Sequence, residues 1–160
     1  MPPTIFGLPI HPLLVHATVV FVPLAVVLVL GAVLVPRFRA WAGPVPAGVS
    51  LVALVLTPLS TATGENLEHQ LPHSALTEEH ARLGDQLLPF TIALFVFAAA
   101  FWWLTRDRDG TDSRWPNALV VGVGALAVMT AVGTGVEVAR IGHSGAEAAW
   151  SGVGSSTSGG

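Results

Sequence analysis

The sequence predicts an all-α protein, a four-helix bundle that crosses a bilayer with both termini on the extracytoplasmic side. Three observations carry this. The chain has 160 residues, 52% of them apolar and only 11% charged, and its mean hydropathy is +0.67. Soluble domains carry roughly 25% charged residues, so too little polar surface is available here to cover a core in water. Second, four uncharged stretches approach the roughly 20 apolar residues that a helix needs to cross hydrocarbon. Third, the arginines gather in alternate loops.

The first run, Leu13 to Val35, holds no ionisable residue except His16. The residues before it include no Arg or Lys and no small-residue cleavage pattern, so it is expected to stay as a span and not be removed as a signal peptide. Ala47 to Thr63, Leu87 to Leu104 and Asn117 to Val136 are the other three. With flanking residues the spans run over about 13–35, 45–63, 85–105 and 116–138, within a domain of residues 1–150. Pro23 and Pro58 fall inside the first two and predict kinked helices, tolerated in lipid where neighbours satisfy the freed carbonyls. Ala127, Ala131 and Gly135, with Gly122 and Gly133 nearby, form a small-residue stripe for close helix packing. Residues 151–160 read as a flexible Ser/Gly-rich tail.

Arg37, Arg39, Arg106, Arg108 and Arg114 lie in the two loops on one side, against Arg82 and Arg140 on the other. The positive-inside tendency makes the five-arginine side cytoplasmic. Trp41, Trp102, Trp103 and Trp115 fall at the same boundary, as an aromatic belt would. The composition, without Lys or Tyr and rich in Ala, Val, Gly and Arg, fits a GC-rich bacterial genome and hence the bacterial cytoplasmic membrane. A net charge of −3 with seven scattered arginines offers no stripe for phosphates, so nucleic acid is not an expected partner. Zero cysteines exclude disulfides, iron–sulfur ligands and covalent haem attachment, which leaves any metal to His or carboxylate.

On this topology all six histidines lie outside. His11 and His16 open the first span, His69, His73 and His80 occupy the second outer segment, and His143 follows the fourth span. His16 is the most informative, because a polar ring inside an apolar span needs a partner. Its structural alternative is a bond to a backbone carbonyl. Pro12 marks a helix start, which would place His11 on an incoming segment able to fold back. Thr77 reads as an N-cap of the third helix, with Glu78 and Glu79 in its first turn, which leaves His80 without a capping role. Gly142 and Gly145 predict a turn that directs His143 over the bundle mouth, while His69 and His73 read as solvated. Glu65 and Glu68 follow Gly64 at the end of the second helix. Glu137 and Arg140 are spaced for a helical ion pair, or else Arg140 or Arg82 holds an anionic group such as a propionate.

The segment from Phe6 to His16 opens with His-Pro-x-x-x-His, and with Thr63-Gly64, Glu79-His80 and Gly142 to Ala146 it resembles a bacterial family of four-helix membrane proteins of unknown function. That family is grouped loosely with four-helix b-type cytochromes. The resemblance covers most of the chain and implies haem b, with His11, His16, His80 and His143 matching the recurrent histidines. His16 and His80 are the preferred axial pair, with His11 and His143 as substitutes. The chain departs from transmembrane di-haem cytochromes in having no second histidine pair near the inner face. One outer haem would exchange electrons with quinol or another membrane redox partner, as an oxidoreductase or its cytochrome subunit.

A second reading is an outer-facing Zn, Cu or Fe site built from these imidazoles with Glu65, Glu79 or Glu137. A third is a structural or accessory subunit, within a homo-oligomer or larger complex, whose histidines bond inside the bundle. A transporter is disfavoured because no carboxylate or Arg lies at mid-depth in any span.

Overall fold

The computed structural model describes residues 4–5, 8–68, 75–106 and 115–150. A two-residue antiparallel ladder opens the chain: β1 (Thr4–Ile5) pairs with β2 (Leu8–Pro9) in the register Thr4 to Pro9 and Ile5 to Leu8. Five helices follow among the described residues: α1 (Ile10–Leu34), α2 (Pro36–Ala42), α3 (Val45–Glu68), α4 (Ala75–Thr105) and α5 (Asn117–Trp150). All but α2 are long and apolar enough to cross a membrane, in agreement with the four expected spans.

The helices depart from the expected bounds in ways their sequences explain. α1 begins at Ile10, so His11 is helical and does not lie on an incoming segment; Pro12 sits in the first turn, where its missing N–H costs nothing. α1 and α3 continue through Pro23 and Pro58, and α4 also passes through a proline, Pro89. α3 does not stop at Gly64 but carries Glu65 and Glu68 in its last turns. α4 starts at Ala75, which puts Thr77 inside the helix and not at its N-cap. α5 runs through Gly142 and Gly145 to Trp150, so the expected turn is absent there. At 1.5 Å per residue, α4 and α5 reach about 46 and 51 Å, well beyond a hydrocarbon core of about 30 Å.

The additional helix, α2, arises where Val35 adopts an extended conformation and Pro36 supplies the preset φ of a first helical residue. Gly43 ends it at φ 52°, a backbone state that residues with a Cβ rarely take. Phe38 lies on Gly31 of α1, where an added Cβ would stand 3.0 Å from the ring.

The four long helices form a ring in which α1 packs on α3, α3 on α4, α4 on α5, and α5 on α1; α1 and α4 face each other across the diagonal. Val22, Ala25, Val29, Ala53, Leu94, Ala127 and Ala131 are almost fully enclosed at its centre. The small-residue stripe of α5 is a packing surface, with Ala127 and Ala131 buried and Gly135 against Val26, whereas Gly122 faces open space. Gly124, Gly133 and Gly145 extend it, each leaving room for a ring of α4: Phe101, Phe90 and His80 in turn. A Cβ at any of the three would lie 3.1 Å from that ring.

Buried hydroxyls are satisfied locally. Ser50, Thr57, Thr105 and Thr134 each donate to the carbonyl four residues back, at 2.7 to 2.9 Å.

Candidate functional site

The ionisable side chains separate to the two ends of the ring. The end formed by the start of α1, the close of α3, the start of α4 and the close of α5 is the histidine end; the opposite end carries Arg37, Arg39 and Arg106.

At the histidine end, His80 fills the third of the three glycine gaps. Its Nδ1 lies 3.1 Å from Ser144 Oγ. Ser144 has one hydroxyl hydrogen and donates it to the Ile141 carbonyl at 3.0 Å. The Ser144 oxygen is then left to accept from His80, so Nδ1 is the donor of this bond. His16 reaches the same state by another route. Its Nδ1 is 2.6 Å from the Pro12 carbonyl, an acceptor only, so Nδ1 donates here too. Neither Nε2 has a hydrogen-bond partner among the described residues.

Along α5, Gly124 meets Val33 and Gly135 meets Val26 of α1, while Gly145 meets His80 of α4, so α1 and α4 flank α5. His16 and His80 stand on these diagonal helices, both toward the histidine end. The structure does not join the two rings: His16 is exposed, and His80 is held to α5.

His143 does not turn over the bundle mouth. With the helix continuous through Gly142 and Gly145, its ring is 77% exposed and its Nε2 lies 3.3 Å from Glu147 Oε1, one turn on. Both arginines at this end are paired with a carboxylate of their own helix. Arg82 grips Glu79 through both Nε and Nη2, at 2.7 to 3.0 Å. Arg140 donates from Nη1 to Glu137 Oε2 at 3.1 Å, the helical pair expected from the spacing. Arg140 also lies near enough to Glu79, and Glu137 near enough to Arg82, for attraction across the α4–α5 interface.

Among the described residues, no three His, Asp or Glu side chains come together in a way that could hold a metal ion. His69, His73 and the side chains of His11 and Glu65 lie outside the described residues. The tautomer lock by Ser144 was missed in the sequence. Its only trace is that Ser144 stands in Gly-His-Ser-Gly, a context that reads as a turn.

At the opposite end, Arg106 lies 3.5 Å from the ring centre of Trp103, and Arg39 lies 5.4 Å from that of Phe101 while donating to the Ala32 carbonyl. A cleft there between α1, α3 and α4 admits about 10 Å³, too little to hold more than a single water.

Four antiparallel apolar helices with charge confined to their ends define a multi-pass membrane protein. Residues 7–157 match the family described as Predicted membrane protein (DUF2231), and the chain belongs to that family. No curated protein and no solved structure matches the chain.

Proposed function

We propose that the protein binds one haem b at the histidine end, with His16 and His80 as axial ligands, and exchanges electrons with quinol or an extracytoplasmic redox partner. The observation that carries this reading is the state of the two imidazoles. Both have Nδ1–H engaged by an oxygen and Nε2 open, which is how ligating histidines are oriented and made basic by their surroundings. They stand on the diagonal helices α1 and α4, both toward the histidine end. Two such imidazoles on facing helices suit a bis-imidazole group. When bound, haem b supplies reversible one-electron chemistry. The chain's part is to hold the two rings, with Ser144 and the Pro12 carbonyl fixing their tautomers. Arg82 and Arg140 serve their own carboxylates in this reading and not the propionates. The arginine distribution supports placing the histidine end on the extracytoplasmic side.

The same two hydrogen bonds favour a second reading, a structural or accessory subunit in which they only tie polar rings into the bundle. A reduced-minus-oxidised absorption spectrum of the protein purified in mild detergent separates the two. A sharp b-type band, lost in His80→Ala, is the expected result. A colourless wild-type protein with no haem on pyridine extraction overturns the haem reading, and metal analysis of the same sample tests the bare-ion alternative.

A further inference from the structure

The first 64 residues contain two arginines, Arg37 and Arg39, and no Asp or Glu at all. Between α4 and α5 the sequence balances itself, with Arg106, Arg108 and Arg114 against Asp107, Asp109 and Asp112. The positive charge left over at the arginine end therefore belongs to α2. At the histidine end Arg82 and Arg140 each have a carboxylate on their own helix; α2 offers none.

The two side chains are correspondingly underused. Arg37 is exposed and makes no hydrogen bond or ion pair among the described residues. Arg39 is half-buried; it donates from Nη1 to the Ala32 carbonyl at 3.4 Å and stands over the Phe101 ring, and the other N–H groups of its fork have no partner among the described residues. A guanidinium with free donors suits a phosphate, whose oxygens accept two parallel bonds.

The surroundings say what carries that phosphate. α2 joins two of the candidate spans, so it lies where hydrocarbon gives way to water. Leu34 and Val35 precede the arginines and Trp41 and Val45 follow them, all between 48% and 80% exposed. The cleft that Arg39 lines is walled by Val29, Val33, Ala98 and Phe101 and is too small to enclose a headgroup, which leaves the half-exposed guanidinium at its mouth as the point of contact. A free anion gains nothing from so much apolar surface, whereas a phospholipid uses both parts. A zwitterionic headgroup brings its own cation and cancels much of the attraction; an anionic one does not.

We infer that α2 is a seat for an anionic phospholipid, with Arg37 and Arg39 holding its phosphate and the exposed apolar residues beside them meeting its chains. The seat is at the end remote from the histidines and is independent of any haem there.

The intact protein in mild-detergent micelles, given equal amounts of phosphatidylglycerol and of phosphatidylcholine with the same acyl chains, tests this by native mass spectrometry. Phosphatidylglycerol should be the lipid retained, and the preference should shrink as salt is raised. Arg37→Gln and Arg39→Gln should each lower it about five-fold, the worth of one arginine beside an anionic headgroup, and the double variant should abolish it. Arg37 makes no polar contact among the described residues, so its variant reports on the lipid without disturbing the fold. Arg82→Gln, at the opposite end, should leave the preference unchanged. Equal retention of the two lipids, a preference untouched by both α2 substitutions, or an equal loss in Arg82→Gln overturns the proposal. Displacement of the lipid by millimolar inorganic phosphate also overturns it, by marking a plain anion site.

Discussion

The two ends of the bundle handle charge by different physics. At the histidine end, polar side chains answer one another: Arg82 with Glu79, Arg140 with Glu137, His143 with Glu147, and His80 with Ser144 across the α4–α5 interface. At the arginine end two of the three described arginines lie against aromatic faces, Arg106 on Trp103 and Arg39 on Phe101. The second arrangement suits a boundary with lipid headgroups, where a ring offers an apolar body and a negative face. The first is directional. It aims particular nitrogens at particular oxygens, which anchoring does not require.

That contrast can be broken from either side. The largest effect belongs to the arginine end, where Phe101 is buried, fills the gap at Gly124 and carries Arg39 above it. Phe101→Ala should cost about 3–5 kcal/mol, read from unfolding in mixed micelles. A loss smaller than that from any single polar change at the other end would show that the packing there is incidental. Ser144→Ala removes a hydrogen bond between helices and should cost only about 0.6 kcal/mol, as such bonds do in membrane bundles. If haem is present, the same variant should shift its spectrum or potential well beyond what that stability change implies, because it frees the His80 tautomer. Smallest of all, Glu79→Gln should leave the unfolding midpoint unchanged at physiological salt, since its pair with Arg82 is solvent-exposed. A clear destabilisation would mean that the whole four-charge group acts as one network.

The spans were readable because lipid imposes a length and a composition that few other environments demand. Pairing Glu137 with Arg140 needed only helical spacing. The errors cluster where a local signal was outweighed by helix length. Gly142 and Gly145 promised a turn, but in an α5 that keeps packing on α4 a glycine is a gap for a ring, and Gly145 admits His80. Thr77 looked like a cap because the first turn of α4 lies upstream of the apolar run that marked the helix. α2 escaped notice since seven residues between two prolines-rich boundaries carry no periodicity to detect. Which partner donates in the His80–Ser144 bond depends on where the Ser144 hydrogen goes, a three-dimensional fact that spacing alone does not encode.

α2 has a consequence for the bundle as a whole. It is braced on α1 by Phe38 against Gly31, it carries Arg37 and Arg39, and its Trp41 is 80% exposed. Residues of this kind settle at the headgroup level and resist displacement along the bilayer normal. A bundle moored at that level cannot share a change in membrane thickness between its two faces. The adjustment falls on the other face, so thickening or thinning the bilayer moves the waterline past His16, His80 and Glu137. Lipid chain length thereby becomes a dial on how wet that layer is.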